Sequence, residues 1–166
     1  MPPKKTQDNH TTQQTKVIDD SWCNESYDLK NVAHYIPPIC KGKVAKVYDG
    51  DTFTIVTKLY STEPVYQFQV RINGIDTAEL KGTTDNVKKM SLLAKEKLSE
   101  QILNKIVRLE NISYDKYGRI LADVYINDIH INKWMIDNHL ALSYDGGHKQ
   151  DPIIWNTVYD TYWKNI

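Results

Sequence analysis

Short segments in which polar and apolar residues alternate, separated by turn-forming pairs, constrain the fold of this chain more than any other feature. Residues 43–48 and 52–56 alternate on either side of Asp49-Gly50, a pair that favours a tight hairpin turn. The stretch 66–72 alternates again and stops at Asn73-Gly74. The pattern predicts three antiparallel strands that follow one another along the chain.

After these strands the apolar spacing becomes helical and then returns to that of strands. Asp85 or Asn86 can cap a helix, because their side-chain oxygens can accept hydrogen bonds from the first turn. Residues 105–112 and 120–126 predict two more strands, joined by a turn. The predicted buried face of the helix has residues three and four positions apart: Met90, Leu93, Ala94, Leu98 and Ile102.

Further helices are predicted after the last strand. Asn132 can cap a second helix that runs through Leu140, and residues 151–166 predict a C-terminal helical segment. The predicted order of strands and helices contains no β-α-β alternation, which argues for a closed antiparallel barrel. The fold class predicted is mainly β, or α+β, with a five-stranded barrel of the oligonucleotide-binding (OB) type and two or three packed helices.

The N-terminal region differs in composition from the predicted barrel. Residues 1–16 are polar and poor in aliphatic side chains, which predicts a disordered tail. Residues 17–40 contain scattered aromatic and aliphatic residues, and we expect them to pack on the barrel as an extension. Residues 41–150 are then the barrel domain.

Charge and hydropathy exclude some classes of protein. Lysine and arginine together equal aspartate and glutamate at 21 each, so any site for an anion must be local. The chain shows neither a signal peptide nor an apolar run of the ~18 residues that a membrane span needs. We therefore expect a soluble, intracellular protein with no membrane partner.

Two segments place carboxylates beside turns. Asp49 and Asp51 flank Gly50, and paired carboxylates can bind a hard cation, although an ordinary hairpin turn explains the same residues. Residues 71–79 place Arg71 and two carboxylates at the end of a predicted strand. This segment could form a site, or only an ion pair in a loop.

A third segment, residues 114–119, contains two tyrosines, Lys116 and Arg119 around a turn. Turn chemistry explains Asp115 and Gly118. The other side chains fit either an anion site or a solvated hairpin.

Taken in order, the three segments resemble a known family. The residues Asp49-Gly50-Asp51-Thr52, then Arg71 with 76–79, then 115–119 resemble the DGDT, DTPE and DKYGR motifs of the staphylococcal nuclease, or thermonuclease-like, family. The resemblance runs from about Lys41 to about Ala141. It implies a phosphodiester hydrolase that cleaves DNA and/or RNA without reading sequence.

The resemblance also implies a Ca²⁺ cofactor, with Mg²⁺ or Mn²⁺ as open alternatives. The implied ligands are the carboxylates of Asp51 and Asp76 and the backbone carbonyl of Thr77, all of them hard oxygen donors.

Catalytic roles are implied for Arg71 and Arg119, which would stabilise charge on the phosphoryl oxygens, and for Glu79, which would orient or deprotonate water. Ala78 departs from the family pattern, which has proline there.

Substrate contacts are implied for three further residues, Lys116, Tyr117 and Tyr144, of which Tyr144 fits a structural role equally well. Aromatic stacking tolerates any base, which suits a nuclease without sequence preference. No obligate protein partner is evident, and we expect a monomer. The alternative is a module of the same fold that binds nucleic acid or protein without cutting.

Overall fold

The structure is a computed structural model in which the chain divides into two compact units, Met1–Tyr35 and Ile36–Ile166. The predicted disordered tail, residues 1–16, lies outside the described residues. These are residues 19–62, 64–81, 84–147, 149 and 151–165.

In the first unit, the described residues contain one short 3-10 helix, Ser21–Asn24. The Tyr27 hydroxyl donates a hydrogen bond to the Trp22 carbonyl at 3.0 Å. The predicted packing of residues 17–40 on the barrel stays a prediction for most of that segment. Its last residues belong to the second unit, in which Ile39 is buried.

The second unit contains the strands and helices that the sequence predicts, together with several very short strands. Its described elements, in chain order, are β1 Lys41–Val47, β2 Thr52–Thr57, β3 Tyr66–Ile72, β4 Ile75–Asp76, α1 Asp85–Ile102, β5 Ile106–Tyr114, β6 Ile120–Ile126, β7 Ile129–His130, α2 Ile131–Asp137, β8 Leu142–Ser143 and α3 Ile154–Tyr162.

Five of these strands form a closed barrel in the order β3-β2-β1-β5-β6. Neighbours are antiparallel except at the closure, where β3 and β6 run parallel with Val70 opposite Ile120. Strand β7 pairs with β6 outside the barrel. The predicted OB-type barrel with packed helices is confirmed.

Helix α1 covers one end of the core with the face that its spacing predicts. Four predicted residues are fully buried, whereas Leu93 is only partly buried. The predicted cap is wrong by one or two residues, because the Thr84 hydroxyl accepts the Val87 N–H and Asp85 is already helical. Within the described part of the chain, none of the helices has the length and apolar content that crossing a membrane requires.

Asn132 has a different role from the one predicted. Helix α2 begins at Ile131, so Asn132 lies inside its first turn and cannot cap it. Its buried side chain instead accepts the Val124 N–H at 2.9 Å and donates to the Asn73 carbonyl at 2.8 Å. The amide therefore ties α2 to β6 and to the turn after β3.

Replacing Asn132 with alanine is expected to lower the free energy of unfolding by about 2 kcal/mol, because the buried Val124 N–H loses its acceptor. Urea unfolding measures the change. The matched control is Asn138→Ala at the exposed end of the same helix, where we expect a change within about 0.5 kcal/mol. Equal effects of the two substitutions would contradict the assigned role.

Candidate active site

The loop between β1 and β2 lies directly against α1 and the segment after β4. A Cβ atom on Gly50 would lie 2.8 Å from the Ala94 Cβ and 2.9 Å from Thr77 Cγ2, closer than packed atoms tolerate. Only glycine permits this approach. Thr77 is buried at this contact, and so is Asp51, the residue that follows Gly50.

The two-residue strands β4 and β8 fix the position of Asp76. Asp76 pairs with Leu142, and Ile75 with Ser143. The next residue, Tyr144, donates its backbone N–H to the Gly74 carbonyl at 2.9 Å. Strand β8 therefore begins beside the predicted ligand Asp76, and the chain that follows it starts beside Gly74.

Closure of the barrel brings the two predicted catalytic arginines to the same end. Arg71 on β3 lies opposite Thr52 on β2 and opposite Leu121 on β6. Arg119 immediately precedes β6, so the pairing of β3 with β6 brings it close to Arg71 and Thr52.

A continuous polar network joins the three predicted motifs. Arg71 Nη2 lies 2.9 Å from Asp51 Oδ2 and 3.8 Å from Asp76 Oδ1. The Thr52 hydroxyl donates to Asp51 Oδ1 at 2.8 Å and accepts from Arg119 Nη1 at 3.3 Å. The structure thus brings together two carboxylates and two guanidinium groups from segments far apart in sequence.

The turn before β6 positions Arg119. Asp115 Oδ2 accepts from Arg119 Nε at 2.6 Å, and Oδ1 accepts the backbone N–H groups of Tyr117 and Arg119. Gly118 has a φ of 79°, a conformation that favours glycine. Burial acts to raise the pKa of Asp115, but these hydrogen bonds hold it below its ordinary value. Asp115 is therefore a carboxylate that orients Arg119.

Burial dominates the electrostatics of Asp51. Loss of solvent raises the pKa of its carboxyl to about 6, although the neighbouring Arg71 acts in the opposite direction. Asp49 on the same loop adds to the increase. Ionised Asp51 therefore lowers the free energy of unfolding at neutral pH, and a bound cation would offset this loss.

Lys149 is a member of the site that the sequence analysis missed. Its Nζ lies 2.9 Å from Asp76 Oδ1 and 2.5 Å from Glu79 Oε1. Partial burial acts to lower the pKa of Lys149, but the two carboxylates raise it above its ordinary value, so the ammonium stays charged. No local sequence pattern identifies this lysine, because the β4–β8 pairing brings it to the site.

The network lies at the base of an open cleft of about 1230 Å³. The predicted substrate residues Lys116, Tyr117 and Tyr144 line this cleft. Tyr117 is 72% exposed, and the centre of its ring lies 5.2 Å from Lys116 Nζ. The guanidinium carbon of Arg71 lies 5.7 Å from the centre of the Tyr144 ring. Tyr48, another residue that the analysis missed, also lines the cleft. Every predicted site residue except Asp76 lines this cleft, and Asp76 is linked to it through Arg71 and Lys149.

The buried residues fit a hard divalent cation. Asp76 Oδ1 is buried, and among the described residues it contacts two cations, Lys149 Nζ at 2.9 Å and Arg71 Nη2 at 3.8 Å. A divalent cation could take the place of one of them. No group of three or more histidine, cysteine, aspartate or glutamate side chains in the described chain is arranged to hold a metal. A cation would therefore need the Asp51 and Asp76 carboxylates together with backbone oxygen and water, a donor set that suits Ca²⁺.

Fold and site together define a small barrel protein in which two arginines meet two buried carboxylates at a cleft. Residues 69–155 match the family model described as staphylococcal nuclease homologue. This chain belongs to that family. The matched span contains every predicted site residue except Asp51.

Two curated relatives each align with more than half of this chain. An uncharacterized endonuclease of Haemophilus influenzae is 32% identical over 111 residues, which is 67% of this chain and 56% of that protein. An uncharacterized protein of Bacillus anthracis is 37% identical over 98 residues, 57% of this chain and 43% of that protein. The chain thus spans about half the length of the curated relatives it matches.

Proposed function

We propose that this chain is a nuclease that hydrolyses phosphodiester bonds of DNA and/or RNA in a Ca²⁺-dependent reaction without sequence preference. One observation carries the proposal: the Thr52 hydroxyl links Arg119 to Asp51, and Arg71 contacts both Asp51 and Asp76. Membership of the family supports it, as does similarity to an endonuclease of Haemophilus influenzae.

The arginines would act on the phosphoryl group. Attack of water on a phosphodiester increases negative charge on its non-bridging oxygens, and guanidinium groups can bond two such oxygens at once. Arg119 is anchored through Nε to Asp115, which leaves its Nη groups directed towards Thr52 and the cleft. Arg71 is anchored by the Ile72 and Ile75 carbonyls.

Asp51 and Asp76, with the Thr77 carbonyl, would hold the cation. When bound, Ca²⁺ would neutralise charge on the phosphate and supply a Lewis acid beside it. Glu79 is exposed at the mouth of the cleft, next to the buried Ala78, and would orient or deprotonate the attacking water. Its position on the solvent side suits a group that must exchange a proton with water.

Lys116, Tyr117 and Tyr144 would hold the nucleotide. Exposed rings offer faces for stacking to any base, and the Lys116 ammonium attracts the phosphate backbone. Because none of these contacts reads a base edge, we expect no sequence preference.

Fluorescent single-stranded DNA and RNA oligonucleotides test the proposal. We expect cleavage with Ca²⁺, loss of cleavage with excess chelator, and recovery when Ca²⁺ is restored. Equal cleavage with chelator would reject the metal assignment. Binding without cleavage under every metal condition would instead favour the binding-module alternative.

A further inference from the structure

Lys149 bridges the two carboxylates that have different proposed roles. Its ammonium lies 2.9 Å from Asp76 Oδ1, in a side chain that is 4% exposed, and 2.5 Å from Glu79 Oε1, in a side chain that is 64% exposed. One positive charge therefore contacts both the proposed metal ligand and the proposed base.

The backbone around Lys149 explains how it reaches this position. Strand β8 pairs with β4 so that its first residue, Leu142, lies opposite Asp76, and the chain after β8 starts beside Gly74. The chain then turns at Gly146, where φ is 91°, and the Tyr144 hydroxyl donates to the Gly147 carbonyl at 2.8 Å. Residues 144–147 line the cleft, and so does Lys149.

Asp76 needs a counter-charge, because a buried carboxylate without one is strongly unfavourable. Arg71 is shared and lies closer to Asp51, at 2.9 Å, than to Asp76, at 3.8 Å. Lys149 is therefore the nearer cation for Asp76.

A divalent ion would compete with this ammonium. A Ca²⁺ ligand oxygen lies roughly 2.3–2.6 Å from the ion. A dication and an ammonium on the same Asp76 oxygen would therefore lie no more than about 5.5 Å apart and would repel one another. Both cannot be held favourably at Oδ1.

We propose that Lys149 is an internal counter-cation that neutralises the metal site in the ion-free protein and must leave Asp76 when the divalent ion binds. The inference rests on the proposed function, since it takes Asp76 as a metal ligand. Because the same ammonium contacts Glu79, metal binding also removes this ion pair from the proposed base. Occupancy of the metal site and the electrostatic environment of Glu79 are thereby coupled.

Removing the charge should then have opposite effects on two measurements. Lys149→Met keeps most of the length of the side chain and removes its charge. We expect this variant to lower the melting temperature of the ion-free protein and to lower the Kd for Ca²⁺ by about tenfold, within the usual range of coupling between sites. Titration calorimetry without substrate, at low salt, measures the Kd, and Lys149→Gln serves the same purpose if the Met variant does not fold.

Two controls separate competition from general charge effects. Lys149→Arg keeps the charge and should bind Ca²⁺ about as the wild type does. Lys116→Met removes the same charge from an exposed residue elsewhere in the cleft lining, and we expect its Kd for Ca²⁺ to change by less than about threefold, since exposed charges interact only weakly through water.

If Lys149→Met binds Ca²⁺ no more tightly than the wild type, the inference is overturned. An equal gain in Ca²⁺ affinity in Lys116→Met would also overturn it. In either case, Ca²⁺-dependent cleavage by the wild type would leave the proposed function standing. Absence of Ca²⁺ binding in the wild type and in every variant would overturn both. Binding only after Lys149 is replaced would support the inference.

Discussion

Arg119→Lys is expected to lower kcat by about 10² or more, which corresponds to roughly 2.7 kcal/mol of lost transition-state stabilisation. Lysine keeps the positive charge but loses the planar fork that bonds two phosphoryl oxygens. It also loses the Nε–H that Asp115 holds at 2.6 Å, so the remaining charge is no longer oriented towards Thr52. Single-turnover kinetics on an oligonucleotide, with the Kd measured separately, isolates the chemical step.

The matched control is Arg108→Lys, which makes the same change on β5, where Arg108 contacts Glu110 and the Tyr125 ring. We expect that variant to keep near wild-type kcat. Melting curves should show both variants within about 1 kcal/mol of the wild type, because both arginines are partly exposed. Near wild-type kcat in a folded Arg119→Lys protein would remove Arg119 from the mechanism.

Arg71→Lys is the parallel measurement. Because both arginines would act on one phosphate, the losses of kcat in the two single variants should not add in the double variant.

Asp51→Asn is expected to stabilise the ion-free protein at pH 7 by up to about 3 kcal/mol, at 1.36 kcal/mol for each pKa unit. The pKa of Asp51 is raised from its ordinary 3.8 to about 6, mainly by burial. Removing one carboxylate does not leave Arg71 without a counter-charge, because Asp76 remains 3.8 Å away. Chemical unfolding in the presence of a chelator measures the gain.

The pH dependence follows from the same shift. Between pH 3.8 and about 6 the folded protein binds a proton at Asp51 more tightly than the unfolded chain does, so stability falls as pH rises through this window. The gain from Asp51→Asn should therefore be present above pH 6 and should vanish below about pH 4.

Two comparisons make this prediction specific. Asp128→Asn removes the same charge from an exposed turn and should change stability by no more than about 0.5 kcal/mol. Ca²⁺ should stabilise the wild type but not Asp51→Asn, because a ligand stabilises only a folded state that binds it. A less stable Asp51→Asn protein at pH 7 would mean that pairing with Arg71 outweighs the cost of burial.

Local patterns in the sequence are enough to predict the larger elements. Strand β3 at Tyr66–Ile72 and strand β6 at Ile120–Ile126 have the predicted bounds, because alternation along a strand follows directly from the pleated backbone. The buried face of α1 follows from helical spacing in the same way. Strands of two residues, such as β4 and β8, are too short to show any period, and the sequence does not reveal them.

The sequence by itself determined the barrel, the helices and, through the resemblance of three motifs, the family. Only the tertiary structure decided which side chains meet: the parallel pairing of β3 with β6 brings Arg119 to Thr52, and the β4–β8 pairing brings Lys149 to Asp76. The structure also shows that Asn132, predicted to cap a helix, is a buried residue whose hydrogen bonds link α2 to β6 and to the turn after β3. The physical reason is that spacing and turn chemistry are properties of neighbouring residues, whereas contacts between distant loops exist only once the barrel has closed.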